Sequence, residues 1–261
     1  MSSLTVRRLC KRFGGVNAIE DVSFAVDTGT IYAVIGPNGA GKTTLFNVIT
    51  GIYAADGGEI CVDDADVTGC TPEELARRGV SRTFQNLQMC MNMTAIENVM
   101  LGAHLHLNQS LLAATLHLSA LRKRDRACRE QAAALMEFAG VGRYVNSHAS
   151  ELPYGALKRL EIARALAATP RLLLLDEPAA GLTGRETAEI DELIQKVAAT
   201  GVTVLLVEHN MKLVMNIARR ILVLNHGRAL AEGAASEIRD HPDVVAAYLG
   251  ARGSGRWAVN A

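Results

Sequence analysis

Aromatic residues are scarce: Phe, Trp and Tyr make up 4% of the 261 residues. With so few flat side chains there is no base-stacking platform, which argues against nucleic-acid binding. Neither sign of charge is in excess, with 27 Lys plus Arg against 27 Asp plus Glu, so no bulk field draws phosphodiester backbones to the chain. The five cysteines (Cys10, Cys61, Cys70, Cys90 and Cys128) are scattered and form no CxxC pair. That excludes a zinc site or a disulfide framework and fits the reduced thiols of a cytosolic protein. Long apolar runs are missing too. The start, "MSSLTVRRLCKRF", has no apolar centre of the signal-peptide kind. "LLAATLHLSAL" (111–121) comes nearest to a membrane span, but it is shorter than the roughly 20 residues required and is interrupted by His117. The expectation is a soluble chain whose membrane role, if it has one, comes through a partner.

The apolar residues that are present, 49% of the chain, suffice for one large domain or two small ones. Short apolar runs alternate with helical patterns, the arrangement of a mainly parallel sheet with helices packed on it. "TIYAVIG" (30–36) reads as a strand entering a glycine-rich loop, after which Leu45, Val48, Ile49 and Ile52 recur at helical spacing. "RLLLLDEP" (171–178) is an apolar strand ending in two acids, and its lack of alternation suits a strand covered on both faces. Thr183 and Glu186 form a capping box ahead of Ile190, Leu193, Ile194 and Val197 on one helix face. Gly201 ends that helix, and "VTVLLVEH" (202–209) is the next buried strand. "RILVL" (220–224) and "RALAEG" (228–233) read as a closing pair around the turn "NHG".

From Thr94 to Ser150 the sequence is helix-prone, with few β-branched residues, and reads as a helical insert between strands of the sheet. At its far end "ELPYGALKRLEIARAL" (151–166) places a proline, a tyrosine and a glycine where a helix of strong formers begins. Such a start offers free N–H groups and a positive dipole end to an anion. The last residues, "ARGSGRWAVNA", read as a tail in which Trp257 makes a stray apolar contact or none. There is no internal repeat.

Between the first buried strand and its helix, "GPNGAGKT" (36–43) fits G-x-x-x-x-G-K-[ST] in the context that motif needs. The backbone of Gly36, Pro37, Asn38, Gly39, Ala40 and Gly41 curls its N–H groups around phosphate oxygens. Lys42 supplies a point charge for the β and γ phosphates, the Thr43 hydroxyl reaches Mg²⁺, and Thr44 completes the nucleotide-binding set. A mere glycine turn with an exposed lysine fits the flanking strand and helix poorly, so the chain is expected to bind a nucleoside triphosphate. Asp176, closing an apolar strand, is placed to hold Mg²⁺. Glu177 follows at once, where a carboxylate can polarise a water for in-line attack on the γ phosphate. Alone, two such acids could equally cap a strand end or favour the next helix's N-terminus; with the 36–43 loop present, that alternative recedes.

Taken together, the 36–43 loop, the glutamine of "RTFQN", "LPYGALKRLEIARAL", "LLLLDEP" and "VEH" follow the order and spacing of an ABC transporter ATPase subunit. The resemblance runs from "LCKRFGGVNAIEDVSF" to "AAYLG". The helical insert, "PYG", "AAGLT" and "VEHNMKLVM" look most like the Liv-type subclass that powers branched-chain amino-acid import. It implies an α/β fold: a P-loop NTPase (RecA-like) core over about 1–90 and 169–233, with an N-terminal antiparallel β portion. It further implies an inserted helical subdomain over about 91–168, a C-terminal helix over about 236–249 and a tail at 251–261.

The same resemblance assigns roles. Gln85 matches the glutamine that touches Mg²⁺ or water and senses the permease; His209 matches the switch histidine that contacts the γ phosphate, so the catalytic set is Glu177, His209 and Lys42. Phe13 matches the aromatic that stacks on adenine, and "AAGLT" (179–183) the loop that crosses to the other subunit. Two chains stack head to tail, and each ATP is held between one chain's 36–43 loop and the other's Pro153, Tyr154 and Gly155. The common family form there is LSGGQ, whereas this chain has Leu152, Pro153, Tyr154, Gly155 and Ala156. The serine hydroxyl is gone, while Gly155 and the helix dipole remain.

Implied partners are a second ATPase subunit (a heterodimer favoured, a homodimer open), two membrane permeases and, indirectly, an extracytoplasmic binding protein. The implied location is the cytoplasmic face of the inner membrane, peripherally bound. Urea, short amides or other amino acids remain open as cargo, and a lipopolysaccharide-export ATPase is separated only by "PYG" and the longer helical insert. A P-loop phosphotransferase or GTPase would share the 36–43 loop without needing the distant LPYGA segment, and a catalytically idle module is opposed by Glu177 and His209. His104 and His106, two apart, do not face one another on a helix, so they make a poor metal site. "RKRDRACR" (122–129) reads as a solvated helix face before a lipid or permease contact. The methionines of "LQMCMNM" (87–93) lean slightly toward a permease contact over core.

Overall fold

Ten strands among the described residues sort into two sheets. The computed structural model describes residues 2–104 and 118–250, without the side chains of 118–122 and 249–250. Strands β1 (Ser2–Phe13) and β2 (Val16–Asp27) form an antiparallel hairpin, joined by β4 (Gly57–Val62) and the short β5 (Ala65–Asp66) in the order β2-β1-β4-β5. Leu4, Val6 and Leu9 turn inward from β1 while Arg7 and Arg8 face solvent, the pattern of a sheet with one wet side.

The second sheet comprises β3 (Ile31–Ile35), β6 (Val80–Arg82), β7 (Leu172–Asp176), β8 (Thr203–Val207), β9 (Arg220–Asn225) and β10 (Arg228–Gly233). Its order is β10-β9-β3-β8-β7-β6, parallel from β9 to β6 with β10 antiparallel at the edge. Every residue of β3, β7 and β8 is buried, which is why these strands show no alternation. Val34 on β3 and Asp176 on β7 both lie level with Val207 on β8. The carboxyl ends of three neighbouring strands therefore open at one edge, where ligands of open α/β sheets bind.

Three packed layers hold this edge in place. Between the sheets, Leu4, Val22, Phe24 and Tyr32 meet Leu45 and Phe46 of α1 (Lys42–Ile49). The expected helical stripe reaches only to Ile49. Ile52 lies beyond the helix and is exposed, because Gly51 takes the left-handed conformation at φ 72°, where a Cβ would strike the Cys70 carbonyl. The short α2 (Pro72–Arg77) leads from this region into β6. On the other face, α3 (Ala95–Gly102), α4 (Leu118–Phe138) and α5 (Tyr154–Leu166) pack through Ile96, Val99, Met136 and Leu160. They rest on Leu173, Leu206 and α6 (Gly184–Ala199), whose Ile190, Leu193, Ile194 and Val197 all point inward behind a Thr183–Glu186 capping box.

The third layer, α7 (Met211–Ile217), α8 (Ala235–Arg239) and α9 (Pro242–Gly250), covers Ile35, Ile221 and Val223. The single helix expected over 236–249 is two. Pro242 has no N–H to give and its ring would clash with the preceding turn, so the chain stops at Arg239 and restarts with proline in the first turn.

Several smaller expectations can be placed. Among the described residues no group of three His, Cys, Asp or Glu could hold a metal, and no helix is long and apolar enough to cross a membrane. All five cysteines are free. Lys123, Arg124, Arg126 and Arg129 are exposed on α4. Met89 packs partly against the core, whereas Met91 is exposed. His106, His117 and Trp257 lie outside the described residues.

Gly102 ends α3 where it crosses α5, and a Cβ there would strike the Arg164 carbonyl. Alanine ordinarily stabilises a helix relative to glycine by about 1 kcal/mol. Here overpacking, at about 1–3 kcal/mol, opposes that gain against a backbone atom that cannot rotate away. Gly102→Ala should therefore lower stability by about 1–2 kcal/mol in urea unfolding; an increase would show that the α3–α5 crossing is loose.

Candidate nucleotide site

The site begins where β3 runs out. Gly36 follows Ile35 so close to β9 that a Cβ would strike the Leu224 carbonyl, and Gly41, at φ 105°, would place a Cβ 2.6 Å from the Ala18 carbonyl. The 36–41 loop is thus pressed between β2 and the β9–β10 turn, whose Gly227 N–H donates to the Ala40 carbonyl at 3.0 Å. Lys42 opens α1 and folds back: its Nζ donates to the carbonyls of Gly36 at 2.7 Å and Pro37 at 3.1 Å. Burial lowers the Lys42 pKa from its ordinary value, and the charges of Glu177 and Asp176 partly restore it. Above this loop lies a cavity of about 590 Å³ lined by residues 38–44, Gln85 and Glu177, and on the other side by 16–18 with His226 and Gly227. His226 and the 16–18 segment were not expected there; they arrive through tertiary packing of a hairpin and a turn.

Asp176 does not line the cavity. It is 3% exposed, and its Oδ2 is held by Arg82 Nη2 at 2.8 Å. The other terminal nitrogen of Arg82 donates to Asn47 Oδ1 at 2.7 Å and Thr50 Oγ1 at 2.9 Å, so one guanidinium ties β6, β7 and α1 together. Burial pushes the Asp176 pKa up and the Arg82 hydrogen bond pulls it back. Arg82 was missed in the sequence; its only local sign is a cation in the strand leading into "TFQ".

Glu177 takes the left-handed conformation, φ 48°, which costs a non-glycine residue about 1–3 kcal/mol and is held by its N–H donating to the Val207 carbonyl at 2.9 Å. Gln85 Nε2 donates to Glu177 Oε2 at 3.2 Å, and His209 Nδ1 lies 3.6 Å from the same oxygen. His209 is outside the cavity lining, with its side chain 60% exposed, yet the structure brings it to Glu177 across two strands. Phe13 is exposed at the β1–β2 turn with its ring edge-on to Tyr53, centroids 5.2 Å apart, and is likewise not among the lining residues.

The segment around Gln85 is clasped by one face of α5. Lys158 Nζ donates to the Gln85 carbonyl at 3.3 Å, the Phe84 N–H donates to Glu161 Oε1 at 3.4 Å, and Arg164 Nη1 donates to the Gln88 carbonyl. Burial raises the Glu161 pKa and Lys158 opposes it. These charged residues read from the sequence only as helix formers.

Pro153 is the N-cap of α5, one position earlier than expected, and the helix has neither a capping side chain nor an acid in its first turn. α2, α3, α6 and α7 all start with a Thr or Asn side chain accepting a backbone N–H. Pro153 and Tyr154 are exposed, whereas Gly155 is buried against the Glu186 carboxylate, which a Cβ there would strike. None of the three lines the cavity. The positive end of α5 thus lies apart from the chain's own 36–43 loop, open to solvent at Pro153 and Tyr154 and flanked by the Glu186 carboxylate.

A family model described as "ABC transporter" matches residues 19–180, and one described as "Branched-chain amino acid ATP-binding cassette transporter" matches residues 230–253. Over 95% of this chain and 97% of the relative, it is 46% identical to the high-affinity branched-chain amino acid transport ATP-binding protein BraF of Pseudomonas aeruginosa. It is 44% identical over the same shares to LivG, the protein of that description in Escherichia coli K12. A solved ATP-binding cassette of an ABC transporter in its ADP conformation superposes with TM-score 0.84 at 33% identity, covering 96% of this chain and 99% of that one. A dimeric bacterial ABC transporter cassette superposes with TM-score 0.75 at 25% identity, covering 89% and 98%.

The Lys42 pKa yields a signed test. The folded value lies below the unfolded one, so between the two the native state binds fewer protons and its stability rises with pH. Bound phosphate restores the charge. Calorimetry at alkaline pH in buffers of different ionisation heat should therefore register proton uptake on ATP binding, with affinity falling as pH rises through the lowered value. Both effects should vanish in Lys42→Met; uptake persisting there would assign the proton elsewhere.

Proposed function

This chain belongs to the ABC transporter ATPases, and we propose from that premise that it powers import of branched-chain amino acids by hydrolysing ATP held between two ATPase protomers. As a family member it is an ATPase coupled to transport, and ATP is its nucleotide. The observation that carries the two-protomer reading is the separation of parts: the cavity contains the phosphate loop, Gln85 and Glu177 but not the uncapped start of α5. The helix start at Pro153 and Tyr154 is exposed and lies outside that cavity, and its free N–H groups suit the γ phosphate on a second protomer.

In this reading the N–H groups of 38–43 cradle the phosphates, and Lys42 exchanges its two carbonyl partners for β and γ oxygens. Glu177 accepts a proton from the attacking water at Oε2, the oxygen that Gln85 and His209 already face. His209 hydrogen-bonds the γ phosphate, and Phe13 stacks on adenine when the nucleotide brings the two together. Thr43, Gln85 and Asp176 offer only oxygen donors, which fits a hard Mg²⁺. No cluster of three acidic, His or Cys ligands accompanies them among the described residues, so the metal would arrive with the triphosphate. Held by these residues, Mg²⁺ would supply charge neutralisation for the phosphates.

The partner is a second ATPase subunit, with a heterodimer preferred, and the pair sits on the cytoplasmic face of the membrane against two permeases. Branched-chain cargo is favoured over urea, short amides or lipopolysaccharide by the relatives' names and by the match at 230–253.

Two outcomes test this. Glu177→Gln should lower turnover about 10²–10⁴-fold while retaining ATP, so that sizing chromatography with ATP shows a dimer; wild-type turnover would remove Glu177 as the base. In cells lacking their own importers, this chain expressed with its permeases, second ATPase subunit and binding protein should restore leucine uptake, and Glu177→Gln should not. Restoration of urea but not leucine uptake would overturn the cargo.

A further inference from the structure

Glu208 follows β8 and is completely buried. A carboxylate in that position is tolerated only when hydrogen bonds replace its lost water. Its two oxygens receive three. The Ala179 N–H donates to Oε1 at 2.8 Å, and the N–H groups of His209 at 3.0 Å and Asn210 at 3.2 Å donate to Oε2. Among the described residues no Lys or Arg pairs with it, and the nearest basic group is His209 Nδ1 at 3.9 Å. The carboxylate is therefore engaged almost wholly in holding backbone.

The backbone belongs to two segments that β7 and β8 bring side by side. One is the His209–Asn210 turn, which starts α7 through Asn210 Oδ1 accepting the Leu213 N–H at 3.2 Å. The other is the 177–183 loop, which carries Glu177 and ends in the cap of α6. A neutral side chain could cap one turn, but joining both needs two acceptor oxygens facing opposite ways, with no donor to oppose an N–H. Charged acceptors also make shorter, stronger bonds than neutral ones.

We infer that Glu208 is a positioning residue: one oxygen on each segment locks the switch-histidine turn to the 177–183 loop. His209 and Glu177 are then set 3.6 Å apart as a unit, and a displacement of the loop by a partner protomer reaches His209 directly. The inference rests on the proposed roles of His209 and Glu177.

The test is a double-mutant cycle on the assembled transporter, with ATP affinity measured alongside turnover. Glu208→Gln keeps the shape but turns an NH₂ against one set of donors. It should lower kcat about tenfold or more while ATP affinity stays within about twofold, and in a His209→Ala background it should cost less than about twofold further, as expected for residues that act as a unit. Full turnover in Glu208→Gln, an equal loss in both backgrounds, or affinity falling in step with kcat would each overturn the inference. If His209→Ala is itself fully active, the site reading fails and the inference falls with it; if His209→Ala is slow and Glu208→Gln is not, only the inference fails. Hydrogen exchange on the wild-type protein needs no variant. The amides of Ala179, His209 and Asn210 should be protected well beyond those of exposed loops, and exchange as fast as an exposed loop would contradict the lock.

Discussion

The carboxyl ends of β3, β7 and β8 carry the 36–43 loop, the Asp176–Glu177 pair and the Glu208–Asn210 turn. These strands are buried at all positions and in parallel register, so Ile35, Asp176 and Val207 reach one edge together. A single apolar constraint thereby delivers the phosphate loop, two adjacent acids and the switch turn to one place.

The second theme is buried charge made tolerable by partners. Asp176 has Arg82, Glu161 has Arg164, the nearby charge of Lys158 and two backbone N–H groups, Glu208 has three N–H groups, and Lys42 has two carbonyls. Breaking a buried ion pair such as Arg82–Asp176 typically costs about 3–5 kcal/mol, although the intact pair contributes little net stability. Their common property is position: each joins segments that surround the nucleotide cavity. Lys42 differs in that its partners can be released, since main-chain carbonyls are poorer company for an ammonium than phosphate oxygens.

The sequence carried the sheet well, because uninterrupted apolar runs such as 171–175 and 203–207 admit few other readings, and the strand–loop–helix around 36–43 was plain from its spacing. The Thr183–Glu186 box and the stripe at Ile190–Val197 were equally plain. What escaped was everything pairwise and distant. Arg82 meets Asp176 across 94 positions, and Glu208 meets Ala179 across 29, with no local mark on either residue. Ile52 continued a helical spacing that Gly51 had already ended, and the C-terminal helix over 236–249 ignored what Pro242 does to a helix interior. Local periodicity reports burial; it does not report which buried charge answers which.

The start of α5 remains the most telling feature: it has no capping side chain, Pro153 and Tyr154 are exposed there, and Gly155 lies against the Glu186 carboxylate. The central claim is that it serves ATP on another protomer. The direct measurement is photolabelling with ATP carrying a reactive group on the γ phosphate, in an assembly where a tagged copy of this chain bears Lys42→Ala and its partner retains an intact loop. Label on residues 153–155 of the tagged, loop-deficient chain is the predicted result. Label found only on the chain whose own loop is intact would contradict the account.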